Sequence, residues 1–304
     1  MINLDPNMDL KTAAKRRDFT INALMYYIKQ NVLIDYYNGQ EDLKQKQLRH
    51  VSLKFAEDPL IILRAIRFSA QLGFTIVKET WDLCLKMLPE LKYITSERKN
   101  QEIKKFLLTP FANFKIGFEY FSIVIEQYYD VSLSNFKSSI YLCNIQQDKY
   151  QSKYMLLFWS CLLLNLQDQN KIDIILQDML IKKQEIKLIK QLIKSYQTSK
   201  LNNEQDILKI LSTYKEDGFL LIELFVLQQD LKSKVLSKDN LIKVYQENLK
   251  KYQDIKINYQ KFLQRKSQLN GQFYMQQGYY GKNIKIQQEK DLLNYINNIL
   301  NNKR

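Results

Sequence analysis

The 304-residue chain has only seven glycines and four prolines. So few turn-formers cannot punctuate the many short strands of a β-sandwich or barrel. Histidine occurs once, as His50, which leaves no partner for a zinc site or a histidine-based triad. The three cysteines, Cys84, Cys143 and Cys161, lie far apart inside apolar stretches. They show neither metal-ligand spacing nor a disulfide framework, and reduced core thiols are expected. The apolar run Met155–Leu166 is too short to cross a bilayer and reads as a buried helix, so no membrane insertion is expected. The first ten residues carry Asp5 and Asp9 and no arginine, the pattern of neither a signal peptide nor a transit peptide. An intracellular protein of cytoplasm or mitochondrion is the expectation.

What the chain does have is basic charge and helical periodicity. Its formal net charge is +14, spread along the whole length. A distributed positive field suits a polyanion such as RNA, because each neutralised phosphate releases counterions; a lysine-rich solubilising surface accounts for the same balance. Strand signals are confined to residues 1–50. There Phe19–Lys29 has helical spacing through Ile21, Leu24, Met25 and Ile28, and Asn31–Tyr37 alternates like a strand. A turn at Asn38-Gly39 and a short helical turn with Leu43 inward follow. From Pro59 onward the period is helical almost without break. The helices expected are Leu60–Leu72, Lys78–Met87, Ser96–Leu108, Phe114–Glu126, Lys153–Leu166, Lys171–Leu180 and Lys183–Tyr196. Glu204–Tyr214, Gly218–Leu231, Lys238–Tyr252 and Gln287–Leu300 complete the set. Ser96 reads as the N-cap of its helix, with Lys104 and Lys105 matching the dipole at the other end. The fold class is therefore mainly α, with a small α/β portion at the front.

Four stretches, in order, carry a family pattern. They are Arg16-Arg17-Asp18-Phe19-Thr20-Ile21-Asn22-Ala23; Asp35-Tyr36-Tyr37-Asn38-Gly39-Gln40-Glu41-Asp42-Leu43, closed by Leu48-Arg49-His50-Val51; Glu57-Asp58-Pro59-Leu60-Ile61-Ile62-Leu63-Arg64-Ala65-Ile66-Arg67-Phe68, with Gly73-Phe74 after it; and Ser96-Glu97-Arg98 followed by Glu102-Ile103-Lys104-Lys105-Phe106-Leu107. Together they resemble the tRNA nucleotidyltransferase (CCA-adding enzyme) and poly(A) polymerase family. The likeness is firm over residues 14–108 and loose over Lys182–Ile193 and Asn270–Gly281. It implies a partial nucleotidyltransferase head over 1–50, a neck of nucleotide-reading and RNA-binding helices over 51–110, and a helical, tRNA-binding body and tail over 111–304.

The resemblance also implies chemistry. In this family the protein reads CTP or ATP through an aspartate and an arginine one helical turn apart, a spacing that puts acceptor and donor on one face. The aspartate falls on Asp58, but the arginine position is Ile61, which has no donor. Arg64 and Arg67 follow on the same stripe and are expected to meet a triphosphate or base edge. Arg17 and Asp18 fall where the family contacts phosphates and ribose, with Asn22 one turn on. A structural ion-pair network of Arg16, Arg17, Arg64 and Arg67 against Asp18, Asp58 and Glu57 is the competing reading. Tyr279 and Tyr280 are candidates for stacking on RNA, or simply packing residues. Arg98, Lys104 and Lys105, with the basic residues of 182–194 and 261–285, are the expected contacts to tRNA or other structured RNA.

The family's Mg²⁺ is held by an Asp-x-Asp pair and a third acid upstream of the first motif. The residues before Arg16 contain no Asp-x-Asp and no glycine, and Asp5 and Asp9 are poor candidates as ligands. Two expectations stand side by side. One is a CCA-adding family protein using CTP, ATP and Mg²⁺ whose activity needs a head segment not in this sequence. The other is a non-catalytic RNA-binding or scaffold protein derived from the family.

Overall fold

A computed structural model of the chain describes residues 8–109, 111–133, 151–199 and 264–301, with scattered positions between 206 and 225. The helices expected at Glu204–Tyr214 and Gly218–Leu231 are helical at the described positions and otherwise lie outside them, as do Lys238–Tyr252, Asp5 and Cys143. Helices dominate: α1 Leu10–Lys15, α2 Gly39–Lys44, α3 Ile61–Leu72, α4 Lys78–Met87, α5 Ser96–Leu107, α6 Phe111–Tyr129, α7 Gln151–Leu162, α8 Gln169–Asp178, α9 Lys183–Thr198, α10 Gly271–Gln276 and α11 Lys282–Asn301. The described strands form two small sheets, β1 Met25–Tyr27 antiparallel to β2 Val32–Ile34, and β3 Gln47–Leu48 parallel to β4 Thr75–Ile76. No helix among the described residues is long and apolar enough to cross a membrane. The chain divides into two compact units, Met1–Leu188 and Ile189–Arg304.

The first unit is organised around α3, which packs along α6 and α5. Its apolar positions Ile62, Leu63, Ile66 and Ala70 are buried, as the 3.6-residue period requires. Gly73 ends it in the left-handed region at φ 70, a conformation that glycine adopts without a Cβ penalty. Helix α6 approaches closely because residue 117 is glycine: a Cβ there would lie 2.6 Å from the Ala70 Cβ. Beneath this crossing is an aromatic core, with Phe106 and Phe114 stacked at 4.7 Å and Phe118, Phe121, Phe158 and Trp159 fully buried. In the second unit, Asn270 caps α10 by accepting from the Phe273 N–H. Tyr274 is buried there and donates to Asp291 at 2.8 Å. Burial first, then the Asp291 carboxylate, push the phenol up to about 12.

Several local expectations are corrected. Phe19–Lys29 is not a helix but a 3₁₀ turn, Thr20–Asn22, leading into β1. Asp18 accepts from the Phe19 N–H and the Asn22 side chain, a local bond that competes with helix, and pairing of Met25 with Ile34 then fixes a hairpin. The strand read over Asn31–Tyr37 is shorter, Val32–Ile34. Leu43 is exposed; Asp42 is the inward residue of α2, accepting from the Thr20 hydroxyl at 2.6 Å and from Arg49 at 3.2 Å. Register explains this, because Gly39 lies so close to Thr20 that a Cβ would fall 2.3 Å from its carbonyl oxygen. Ser96 is the first helical residue of α5 and Thr95 the cap position; the Ser96 hydroxyl donates to Asp178 at 2.8 Å instead.

Candidate nucleotide and RNA site

Around the start of α3 the structure gathers most of the sequence candidates into two adjoining ion pairs. Asp18 takes Arg64 Nε at 3.1 Å and a second, shorter bond from Nη2 on Oδ2, while Oδ1 accepts Asn22 Nδ2 and the Phe19 N–H, each at 2.9 Å. Four donors on one carboxylate fix it against the helix. The Asp18 side chain is 11% exposed and Arg64 35%, so the guanidinium still has a face toward solvent. It also lies 5.5 Å from the centre of the Phe68 ring. Arg17, on the turn after α1, is exposed and has no side-chain partner among the described residues, leaving its whole fork available to an anion.

The second pair joins Asp58 to Arg98. Asp58 Oδ1 accepts the Leu60 N–H at 3.1 Å, and Oδ2 takes Arg98 Nη2 at 2.7 Å across to the first turn of α5. Both side chains are 49% exposed. Ile61 is only 8% exposed and belongs to the core. An apolar residue there is thus explained by packing, and no donor stands one turn from Asp58 on α3.

Arg67 is not at this surface. Its guanidinium is buried with Glu102 of α5, Nε to Oε2 at 2.6 Å, and Nη1 donates to Gln71 at 2.7 Å. It also lies 4.0 Å from the centre of the Phe68 ring. Lys104 and Lys105 are exposed at the far end of α5, with Lys105 3.5 Å from Glu102. An ion pair of the competing reading is therefore present for Arg64 with Asp18, whereas Asp58 and Arg67 pair with Arg98 and Glu102 of the fourth stretch.

Three structural carboxylates carry no motif role foreseen in the sequence. Burial works against the charge of Asp35, but the N–H groups of Gln40, Gly39 and Tyr37 outweigh it and hold the carboxyl below its ordinary value. Asn38, in the left-handed region at φ 59, shapes this turn. Asp42 ties the 3₁₀ turn to Arg49. Asp178, at the end of α8, accepts from Ser96, Tyr129 at 2.6 Å and buried Lys99. Its burial opposes ionisation, yet Lys99, Tyr129 and Ser96 together lower its pKa. The partners of Asp178 were invisible in the sequence because Tyr129 lies 49 positions away and Ser96 82.

Mg²⁺ does not fit the described residues. No group of three or more His, Cys, Asp or Glu among them is arranged to hold a metal ion. Asp9 serves as the N-cap of α1, accepting from Thr12, while Asp18, Asp42 and Asp58 are engaged by arginines. His50 is turned to Thr80, with Nδ1 2.8 Å from its hydroxyl. Burial first, then Arg49, lower the imidazole pKa. Cys84 is a buried thiol, pushed up to about 12 by burial.

Comparison with known proteins finds likenesses over parts of the chain and in the fold. The Poly A polymerase head domain matches residues 3–49. A CCA-adding enzyme of Blochmanniella floridana is 46% identical over 108 residues, 34% of this chain and 26% of that protein. A multifunctional CCA protein of Vibrio cholerae is 48% identical over 109 residues, 34% of this chain and 27% of its own length. The matched region thus spans about a quarter of these curated relatives. A solved CCA-adding enzyme in complex with CTP superposes with a TM-score of 0.62 at 21% identity, covering 99% of this chain and 72% of that one. A tRNA nucleotidyltransferase complexed with a primer tRNA and an incoming ATP analogue superposes at 0.56 with 25% identity, covering 83% and 76%.

Proposed function

We propose that this chain, similar in part to the Poly A polymerase head domain and to CCA-adding enzymes, acts as a member of the tRNA nucleotidyltransferase and poly(A) polymerase family, binding CTP or ATP at the start of α3 and a tRNA 3′ end along its helices. The observation that carries this reading is the convergence of Asp18, Asn22 and Arg64, with Arg17, next in the chain to Asp18, exposed and without a side-chain partner among the described residues. Arg17 and the exposed face of Arg64 meet the triphosphate, where planar guanidinium groups suit phosphate oxygens. Asn22, held in place by Asp18, contacts the ribose. The two carboxylate oxygens of Asp18 are already held by four protein donors, so this acid orients its neighbours and does not act as a base.

Lys104 and Lys105 contact the RNA backbone, a positioning interaction without base readout. Net charge of +14 draws the polyanion in from solution. CCA addition, or another 3′-end extension of RNA, is the reaction this binding serves. Transfer of the nucleotide is not assigned to the described residues, where Asp18, Asp42 and Asp58 are engaged by arginines and no group of three or more His, Cys, Asp or Glu is arranged to hold Mg²⁺.

The test is to incubate the chain with tRNA lacking its CCA end, labelled CTP and ATP, and Mg²⁺. Expected is RNA binding that weakens steeply as salt rises, with no label incorporated. Incorporation at the rate of a CCA-adding enzyme would sink the claim that this polypeptide does not transfer nucleotide. Binding indifferent to salt would sink the backbone-contact reading.

A further inference from the structure

We infer that the cleft where α4, α5, α6 and α8 meet is a pocket for one unstacked nucleotide of a bound RNA. The inference rests on the RNA-binding reading above and adds to it a site that shares no residue with the cluster at the start of α3. The cleft lies within the Met1–Leu188 unit. Its walls come from the end of α4 and the 3₁₀ turn after it, the first turn of α5, and the last turns of α6 and α8. It encloses about 840 Å³, the size of a pocket that buries a small organic ligand.

The lining combines an apolar surface with groups that read an edge. Leu88, Ile94 and Ile174 supply the apolar part. Ile174 is 56% exposed, so packing within the protein leaves this wall open to a ligand. The Tyr128 ring lines the same cleft, and its hydroxyl has no hydrogen-bond partner among the described residues. Thr95, which makes no side-chain cap bond to α5, and Gln127 stand beside it. Hydroxyl and amide side chains both donate and accept. A base needs this combination: its face stacks on an aromatic or apolar wall, and its edge meets donors and acceptors.

Charge separates an RNA nucleotide from a free triphosphate. The charged side chains lining the cleft are Lys92, Lys99 and Asp178. Lys99 and Asp178 neutralise each other: Lys99 is 4% exposed and bonds both carboxylate oxygens, which also accept from Ser96 and Tyr129. Lys92 remains, exposed, with its ammonium 5.0 Å from the centre of the Tyr93 ring. A single uncompensated cation matches the single negative charge of a phosphodiester unit. A triphosphate would set several negative charges against Asp178 and the carbonyl ends of α6 and α8. The plainer alternative is a water-filled groove left where these elements end, with the Lys99–Asp178 pair only joining α5 to α8. On that alternative RNA binding is indifferent to the cleft.

The experiment measures equilibrium binding of a short unstructured oligoadenylate and of a blunt RNA duplex to the full chain and its variants, with each thermal unfolding midpoint recorded alongside. Tyr128→Leu should weaken the oligoadenylate by about tenfold, as one lost base–aromatic contact does, and leave the duplex, whose bases are already stacked and paired, unchanged. Because that ring packs at 4.8 Å on Tyr129, Ile174→Glu at an exposed position is the second variant, with the same expected split and an unchanged midpoint. Lys92→Ala should lower the slope of log affinity against log salt by about 0.7 for the oligoadenylate, the share of one single-strand phosphate. Ultraviolet cross-linking should place an oligoadenylate adduct on the peptide containing Tyr128, and adenosine monophosphate should compete for it better than ATP. Stronger competition by ATP makes the cleft a triphosphate site and overturns the assignment. Oligoadenylate binding unchanged in Ile174→Glu, or an equal loss for oligoadenylate and duplex, overturns the pocket and leaves RNA binding standing. Failure of the unmodified chain to bind either RNA overturns both.

Discussion

Replacing Arg67 by methionine separates a folding role from a nucleotide-binding role. Arg67 and Glu102 are 10% and 7% exposed and bonded at 2.6 Å, so the variant strands a carboxylate away from water. Removing one member of a buried pair costs about 3–5 kcal/mol. Lys105 lies 3.5 Å from the other Glu102 oxygen but is 57% exposed, so it offsets only a little. The expected loss is therefore near the lower end, about 3 kcal/mol. Gln71, at the surface, exchanges its bond to Arg67 for water. The double variant Arg67→Met with Glu102→Leu removes both charges and should recover most of the loss, since a well-packed apolar pair is about neutral against a buried ion pair. Urea unfolding followed by tryptophan fluorescence is the assay, because Trp81 and Trp159, the chain's two tryptophans, both lie in the Met1–Leu188 unit. CTP affinity, measured on the folded double variant, should equal that of the parent. A double variant no more stable than the single one would refute the energetic argument. A double variant of parental stability that binds CTP ten times more weakly would instead place Arg67 in the nucleotide site.

Glycine substitutions test the close approaches. Gly39→Ala puts a Cβ 2.3 Å from the Thr20 carbonyl oxygen and Gly117→Ala one 2.6 Å from the Ala70 Cβ. Each should destabilise by about 1–3 kcal/mol in the same urea assay, and a neutral result at Gly117 would mean that α3 and α6 separate freely. The Asp178 network supplies a pH test. Its folded pKa lies below the ordinary 3.8, so its contribution is present above that value and is lost as pH falls from about 4 through the folded pKa. Asp178→Asn should flatten the acid limb of a stability–pH curve, and an unchanged acid limb would show that Lys99, Tyr129 and Ser96 give it no net stabilisation.

The parts legible in the sequence were those written in local pattern. Helix α4 runs over the residues its periodicity marks, and α3 stops at Gly73 because only there can the backbone turn left-handed without cost. The meeting of Asp18 with Arg64, 46 positions apart, was within reach only because two motifs carried it. Illegible were the contacts that depend on how helices cross. Nothing near Arg67 announces Glu102, and nothing near Ser96 announces Asp178. Met25 to Tyr27 misled for a different reason: their apolar spacing suits a helix, but pairing with β2 outweighs it, as tertiary context commonly does over short segments.

The bond from Asp178 to the start of α5 also has a temporal side. Arg98 sits two residues beyond Ser96, whose hydroxyl bonds a carboxylate 82 positions later, and Lys99 is bound to the same acid. Every motif residue has left the ribosome well before α8 is made. Until then the first turn of α5 lacks its anchor, and Lys99 lacks its counter-charge. A nascent chain halted near residue 110 would carry the full set of recognition letters with this part of their support unfinished. Maturation of the site during synthesis would thus be timed by a helix that contributes nothing to it but a terminal aspartate.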